Sequence, residues 1–264
     1  MSKPSRPVIV VIPARYGSSR FPGKPLISIN GKPLIQHVYE QAAACKSVSD
    51  VLVATDDDRI KETVERFGGR VVRAEGNFST GTDRVAAVAR MFAGEFFVNL
   101  QGDEIPLNPQ LLADLIDPFI KSGAEMGTLK RVLDTTEELH NPAVVKVVTD
   151  SRGSALYFSR APIPFVRDDP DHRAIGGLHY IHLGVYMFTK ETLLKYAALP
   201  TSPLEEAEKL EQLRALENGM RMKVWETRHA SLRVDQPEDV PGVAEKLQQF
   251  NVLKRELKGV VWAR

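Results

Sequence analysis

The chain has 264 residues, of which 43% are hydrophobic and 26% charged, as in an ordinary soluble α/β protein with one sizeable core. A formal net charge of +1 excludes a global field that attracts nucleic acid or a membrane surface. The single cysteine, Cys45, excludes an internal disulfide and a thiolate metal cage. No apolar run reaches signal-peptide or membrane-helix length, so we expect a cytoplasmic protein.

The first half of the chain predicts alternating strands and helices. Val8–Ile12 is a continuous run of β-branched residues, which is typical of a parallel strand covered on both faces. The elements after it are a helix at 34–42, a strand at 51–54, a helix at 60–67, a strand at 71–72, a helix at 85–92 and a strand at 96–100. This order predicts a Rossmann-like, doubly wound, mostly parallel sheet. Its ligands should bind in the loops after Ile12, Ala54 and Leu100.

The second half predicts a small β-rich subdomain and further helices. Its elements are a hairpin of 144–148 and 155–158, a mobile loop at 165–178, a strand at 182–188, one helix marked by Leu204, Ala207, Leu210 and Leu213, a strand at 222–225, and a last helix from about Pro237 capped by Asp235. No linker separates independent domains. We therefore interpret residues 1–264 as a single domain.

The loop Pro13–Pro25 is the most informative segment of the sequence. It carries Arg15, Arg20 and Lys24 among small residues that let backbone N–H groups approach a ligand, which suits a triphosphate. It is not a Walker A loop, because five residues instead of four separate its two glycines and a proline follows the lysine. The dinucleotide fingerprint is also absent here, which argues against a dehydrogenase. On composition alone, an exposed basic loop without a ligand is the alternative.

The full string P-A-R-x-x-S-x-R-x-P-x-K after a strand resembles the signature of the sugar-activating cytidylyltransferases, and within them the 3-deoxy-manno-octulosonate (Kdo) cytidylyltransferase family. The resemblance continues at residues 29–34, 53–56, 81–84, 101–104, 155–160, 182–186, 210–214 and 234–239. It implies a nucleotide-diphospho-sugar transferase-like fold and transfer of CMP from CTP to Kdo for lipopolysaccharide biosynthesis. It also implies a homodimer, with residues of about 140–190 in sugar binding and dimerisation.

The resemblance further implies a magnesium site. Asp103 follows a buried strand, Asp235 stands at a strand-to-helix junction, and the family pattern pairs them as ligands of the Mg²⁺ that accompanies CTP. From the pattern alone, Asp103 could be a turn residue and Asp235 a helix cap. Glu104 is either an accessory ligand or solvated. The proton of the attacking hydroxyl goes to Asp235 or to water, and no covalent intermediate is needed.

The remaining site residues are also implied by the resemblance. Arg15, Lys24, Asp103 and Asp235 are assigned to catalysis. The nucleotide-binding residues are Ala14, Arg15, Ser18, Lys24, Thr80, Gly81, Arg84 and Gln101. Thr80 and Asp83 stand where the family has Ser and Glu. Arg84 faces the base or ribose, or else pairs with Asp83.

An acidic sugar needs a cation for its carboxylate and polar groups for its hydroxyls. Arg160 suits a planar carboxylate, and His182 and Tyr186, four apart on a strand, share one face. The resemblance implies a sugar site of Gln101, Arg160, His182, Tyr186, Glu211 and Gln212. Structural roles for these residues are the alternative on composition alone.

Three questions stay open at the level of sequence. Ser231–Arg233 replaces a Gly-rich stretch of the family and adds a cation that assists pyrophosphate or faces water. The 8-amino analogue of Kdo or another acidic keto sugar, such as a sialic acid, would use the same phosphate loop. A non-catalytic nucleotide-binding module is the rival of another class, and the joint retention of Lys24, Asp103 and Asp235 argues against it.

Overall fold

The computed structural model of the chain describes residues 6–17, 21–169 and 176–261. The strands are β1 Val8–Pro13, β2 Ser28–Ile29, β3 Lys32–Pro33, β4 Asp50–Thr55, β5 Val71–Arg73, β6 Phe96–Leu100, β7 Glu104–Pro106, β8 Met126–Val132, β9 Lys146–Thr149, β10 Ala155–Ser159, β11 Tyr180–Thr189, β12 Lys223–Glu226 and β13 Ser231–Arg233. The helices are α1 Leu34–Ala43, α2 Asp58–Arg66, α3 Gly81–Met91, α4 Gln110–Ser122, α5 Thr136–His140, α6 Lys190–Ala197, α7 Pro203–Glu208, α8 Leu213–Glu217 and α9 Asp239–Val261.

The central sheet has the order β10-β9-β11-β6-β1-β4-β5, with β8 beside β11 and β12 beside β8. β1 lies at its middle and pairs in parallel with both β4 and β6, because helices carry the chain from each strand to the next. The β1 residues from Val8 to Ile12 are buried, as their continuous apolar run predicts. The doubly wound, mostly parallel α/β fold is thus confirmed, with helices on both faces.

The second half extends this sheet with antiparallel strands. β11 pairs antiparallel with β6 on one edge and with β8 on the other. The expected hairpin is β9 and β10, and it meets β11 where Lys146 stands opposite Ile181. Residues 170–175 of the expected mobile loop lie outside the described part of the chain. Among the described residues, no helix combines the length and hydrophobicity that a membrane span requires.

Two expectations about helices are wrong, and both corrections concern the site. The helix expected from Leu204 to Leu213 is two short helices, α7 and α8, because Lys209 adopts the left-handed conformation with φ 54°. Glu211 and Gln212 therefore lie in the turn between them rather than on a helix. Asp235 does not cap α9: the Asp239 carboxylate accepts hydrogen bonds from the backbone N–H of Asp235 at 2.7 Å and of Gln236 at 2.9 Å.

Candidate active site

A cavity of about 190 Å³ lies beyond the carboxyl end of β1, where a doubly wound sheet binds its ligands. Its walls are the loop after β1, the start of α3 and the loop after β6. The sequence-predicted nucleotide residues that line it are Ala14, Arg15, Lys24, Thr80, Gly81, Arg84 and Gln101. Ser18 lies outside the described residues. The loop after β4 contributes indirectly, through Asp56.

The basic loop after β1 is closed by a turn at Gly23, which has φ 72°. The Gly23 N–H donates to the Tyr16 carbonyl at 2.9 Å, and a Cβ at Gly23 would lie only 3.1 Å from the Tyr16 ring. Glycine is required there for both reasons. The Arg59 guanidinium covers the Tyr16 ring at 3.3 Å from its centroid. This packing fixes the turn that delivers Lys24 into the cavity.

The start of α3 is held by a reciprocal cap. Thr80 Oγ1 accepts from the Asp83 N–H at 3.2 Å, and Asp83 Oδ2 accepts from the Thr80 N–H at 2.9 Å. Since Asp83 is used in this cap, its pairing with Arg84 does not occur. Arg84 instead forms an ion pair with Asp56 at 3.1 Å and covers the Phe78 ring at 5.0 Å.

Asp103 and Asp235 are brought together by the pairing of β7 with β13. In this ladder Glu104 stands opposite Arg233, and the Val234 N–H donates to the Asp103 carbonyl at 3.1 Å. The two aspartates thus lie at matching ends of two paired strands. Lys24 Nζ links the two strand ends, because it donates to Asp103 Oδ2 at 2.8 Å and to the Val234 carbonyl, next to Asp235, at 3.0 Å.

The aspartate pair has the chemistry of a hard-cation site. Asp235 Oδ2 pairs with Arg233 Nε at 3.1 Å, whereas Asp235 Oδ1 is buried and accepts no hydrogen bond from any described residue. A buried carboxylate oxygen without a partner is costly unless a ligand satisfies it. Within the described ranges no cluster of three or more His, Cys, Asp or Glu residues has metal-binding geometry. Two carboxylates completed by phosphate or water oxygens fit Mg²⁺, which seldom takes an all-protein cage.

Glu104 is buried, so the solvated alternative for it is wrong. Its Oε1 accepts from Ser231 Oγ at 2.6 Å. A Cβ at Gly184 would lie 2.8 Å from Glu104 Oε2, so the carboxyl packs directly against this glycine. Burial raises the pKa of Glu104.

A second cavity of about 460 Å³ adjoins the first, since Gly81, Gln101 and Asp103 line both. It is lined by the sequence-predicted sugar residues Gln101, Arg160, His182, Tyr186, Glu211 and Gln212. Gln212 Nε2 is buried and has no hydrogen-bond partner among the described residues. The cavity therefore holds an amide donor that a polar ligand could satisfy.

His182 and Tyr186 share one face of β11, as their spacing predicts, and their ring centroids are 5.4 Å apart. His182 Nε2 lies 3.0 Å from Thr128 Oγ1, whose single proton goes to the Val185 carbonyl at 2.7 Å. Nε2 is therefore the donor, and the ring is neutral with Nδ1 as an acceptor. Burial, reinforced by the Arg233 charge, lowers the pKa of His182 to about 3.

The burial of His182 predicts a pH dependence of stability. The unfolded histidine takes up a proton near pH 6.5. The folded one does so only near its lowered pKa of about 3. Below pH 6.5 the unfolded state binds more protons, so the free energy of unfolding falls by about 2 kcal/mol between pH 7 and pH 5. Urea titrations of the wild type and His182→Gln at both pH values measure this. Equal losses in the two proteins would contradict it.

Arg160 is held by backbone carbonyls on two walls of the second cavity. Its Nε donates to the Glu208 carbonyl at 2.6 Å and its Nη1 to the Pro142 carbonyl at 2.9 Å. The backbone of Arg160 is held as well, because Lys146 Nζ donates to the Arg160 carbonyl at 2.5 Å and to the Val144 carbonyl at 2.6 Å. These bonds fix the guanidinium. Among the described residues, no carboxylate pairs with it.

A chain of three hydrogen bonds, one buried and two partly buried, connects the two cavities. Gln101 Nε2 donates to Asn99 Oδ1 at 3.1 Å, and Asn99 Nδ2 donates to Thr82 Oγ1 at 2.9 Å. Thr82 Oγ1 in turn donates to Glu211 Oε1 at 2.8 Å. The orientation of Gln101 at the junction is therefore tied to that of Glu211 in the second cavity.

Residues 9–223 match the family model described as cytidylyltransferase. The chain belongs to the cytidylyltransferase family. It is 49% identical, over 248 residues, to the 3-deoxy-manno-octulosonate cytidylyltransferase of Geobacter sulfurreducens, an alignment that covers 91% of this chain and 99% of that one. It is also 49% identical, over 238 residues, to the 8-amino-3,8-dideoxy-manno-octulosonate cytidylyltransferase of Shewanella piezotolerans, with coverage of 88% and 95%. The resemblance inferred from the motifs is thus confirmed.

Solved structures agree with this assignment. The structure of a CMP:2-keto-3-deoxy-manno-octonic acid synthetase complexed with CTP superposes on this cytidylyltransferase with a TM-score of 0.84 at 39% identity, covering 92% of this chain and 99% of that one. A cytidylyltransferase from Leptospira borgpetersenii is 16% identical and superposes with a TM-score of 0.62, covering 98% of each chain. At that identity the likeness shows the fold alone.

Sequence reasoning missed several residues of this cytidylyltransferase that shape the site. Asn99 was visible as one polar residue in the apolar run of β6, which is a signal for a buried hydrogen bond. Arg131 and Glu138, which form an ion pair on the wall of the second cavity, carried no signal. Lys146 also carried none, since a lysine at a strand end is usually solvated.

Proposed function

We propose that this cytidylyltransferase transfers CMP from CTP to Kdo, giving CMP-Kdo and pyrophosphate for lipopolysaccharide biosynthesis. The observation that carries the proposal is the junction of the two cavities at Gln101 and Asp103. The first cavity has the cations Arg15 and Lys24 for a triphosphate. The second has polar groups for a hydroxylated acid. A sugar hydroxyl in the second cavity would meet the α-phosphorus of a nucleotide in the first.

We further propose that Asp103 and Asp235 hold Mg²⁺ during turnover. The buried, unpartnered Asp235 Oδ1 and the neighbouring Asp103 carboxylate support this assignment. When bound, Mg²⁺ would supply charge neutralisation for the phosphates and acidify a coordinated hydroxyl.

The protein's own groups act by positioning and by charge. Lys24 would stabilise the negative charge of the phosphates while it holds Asp103 in place. Arg15 is exposed at the mouth of the first cavity, where it would contact the outer phosphates. The neutral His182 and the buried Tyr186 would bind sugar hydroxyls without adding charge. Asp235 or a water molecule accepts the proton of the attacking hydroxyl.

Kdo rather than its 8-amino analogue is favoured by the carboxyl groups of the second cavity. An ammonium group at carbon 8 would need a carboxylate partner. Two of the carboxyl groups lining the described cavity are paired with cations: Glu138 with Arg131 at 2.5 Å and Asp103 with Lys24 at 2.8 Å. Burial raises the pKa of the other two, Glu104 and Glu211, which disfavours their charged form. A hydroxyl group needs no such partner.

A pyrophosphate-release assay with CTP and Mg²⁺ tests the proposal. The acceptors to compare are Kdo, 8-amino-Kdo and a sialic acid, and we expect the highest kcat/KM with Kdo. A higher kcat/KM with 8-amino-Kdo would identify that sugar, and not Kdo, as the substrate. No release with any acceptor would favour the non-catalytic nucleotide-binding module.

We also propose a cytoplasmic homodimer in which residues of about 140–190 contribute to the interface. Support comes from two large apolar side chains in this region, Leu156 and Phe165, which are 61% and 72% exposed. Sedimentation equilibrium measures the assembly. A monomer at micromolar concentration would refute the dimer.

The hydrogen-bond chain through Thr82 predicts that the two substrates affect each other's binding. Thr82→Val keeps the shape of the side chain but leaves Asn99 Nδ2 and Glu211 Oε1 without their partner. Glu211 lines the cavity proposed for the sugar, so losing its bond to Thr82 should weaken sugar binding. One such hydrogen bond contributes about 1–3 kcal/mol, so we expect the KM for the sugar to rise about 10-fold. The degree to which bound CTP tightens sugar binding should fall as well.

The matched control is Thr63→Val, because Thr63 is a buried helical threonine that accepts a hydrogen bond from Arg66 far from the cavities. It should leave both KM values unchanged. Equal KM values for the Thr82 and Thr63 variants would show that the hydrogen bonds of Thr82 do not connect the two substrate sites.

A further inference from the structure

Lys146 is a buried lysine to which the proposed function gives no task. Its side chain is 0% exposed, although a lysine is almost never fully buried unless it is paired. Among the described residues, no carboxylate forms an ion pair with it. Burial, reinforced by the Arg160 charge, lowers the pKa of its ammonium to about 8. A buried charge without a counter-ion costs folding free energy, so stability alone does not account for this lysine.

The three N–H donors of the Lys146 ammonium all go to backbone carbonyls. Nζ donates to the carbonyl of Asn141 at 3.0 Å, of Val144 at 2.6 Å and of Arg160 at 2.5 Å. Asn141 and Val144 belong to the turn before β9, and Arg160 directly follows β10. The ladder of β9 and β10 ends where Ser159 stands opposite Lys146. The ammonium therefore joins two chain segments just beyond the end of their ladder.

Both segments belong to the wall of the second cavity, which Val144 and Arg160 line and Lys146 does not. The Pro142 carbonyl, which accepts from Arg160 Nη1 at 2.9 Å, lies in the turn whose two ends Lys146 holds. Lys146 thus fixes Arg160 at its backbone and at one acceptor of its guanidinium. Glu208 holds the other side, since it accepts from the Arg160 N–H at 2.9 Å and from Arg160 Nε at 2.6 Å.

We propose that Lys146 is a positioning residue of the sugar site, which fixes the orientation of Arg160 and thereby raises the affinity for the sugar without touching it. An arginine that is already fixed loses little side-chain entropy when a ligand binds, whereas a free one loses more. Without the ammonium, the carbonyls of the turn and of Arg160 lose their donor, and the guanidinium samples more orientations. The inference rests on the proposed function, because it takes the second cavity to bind the sugar.

Lys146→Met tests the proposal, because it keeps most of the side-chain length and removes all three donors. We expect the KM for Kdo to rise about 10-fold, as for the loss of a preorganised contact, and the KM for CTP to stay within about 2-fold. Neither segment lines the first cavity. Initial rates of pyrophosphate release at varied Kdo and at varied CTP measure both. Lys190→Met is the matched control and should change neither KM, since Lys190 donates to the Phe92 carbonyl at 2.9 Å and lines neither cavity.

A double-mutant cycle with Arg160→Gln shows whether Lys146 acts through the arginine. If it does, adding Lys146→Met to Arg160→Gln raises the KM for Kdo by less than about 2-fold further. A full further rise overturns the inference. So does an unchanged KM for Kdo in the single variant, or an equal rise for Kdo and CTP, which is what a general loss of structure gives. Lys146→Gln keeps an amide donor, should show a smaller rise, and serves if the methionine variant does not fold.

Failure of the proposed function looks different, since the wild type would then release no pyrophosphate with Kdo. The acceptor sugar that it does use then takes the place of Kdo in the same cycle, and the role of Lys146 is decided in the same way. Absence of release with every acceptor removes the sugar site and the inference with it.

Discussion

Replacing Asp235 by asparagine is expected to lower kcat about 1,000-fold, which corresponds to about 4 kcal/mol of transition-state stabilisation. The variant keeps the size of the side chain and removes its charge. At the proposed metal site the buried Oδ1, which no described residue satisfies, would then be a weaker ligand for Mg²⁺. We also expect a higher Mg²⁺ concentration at half-maximal rate. Pyrophosphate release across a Mg²⁺ titration measures both quantities.

Asp117→Asn is the matched control, because Asp117 accepts a hydrogen bond from Ser47 at 2.6 Å and lies away from both cavities. It should keep the wild-type rate and Mg²⁺ dependence. Thermal unfolding should show both variants folded at the assay temperature. A kcat for Asp235→Asn within 10-fold of the wild type would remove Asp235 from the metal pair.

The lining of the first cavity could be predicted because its information is local. The apolar run of β1, the small and basic residues after it and the position of Lys24 in that loop all stand within one stretch of sequence. Parallel strands place their loops at one edge of the sheet whatever the other contacts are. The loops after β1 and β6 therefore meet as expected.

The contacts that complete the site depend on pairings that no local pattern contains. β7 and β13 are three residues each, too short for a periodicity, and only their antiparallel register brings Asp235 to Asp103. The break at Lys209 was equally hidden, since Leu210 and Leu213 fit a continuous helical stripe. In both places tertiary contacts decide the backbone path. Both places hold residues of the site.

Lys24→Met is expected to lower kcat/KM for CTP about 300-fold, or about 3 kcal/mol. Methionine keeps most of the side-chain length, but the donors to Asp103 Oδ2 and to the Val234 carbonyl are lost. Asp103 then faces a bound triphosphate without the cation that separates their charges. Lys32→Met is the control, since Lys32 follows in the chain and pairs with Glu40 at the surface. Initial rates at varied CTP measure the effect. If both lysine variants lost the same small factor, Lys24 would be a surface charge with no part in binding the phosphates.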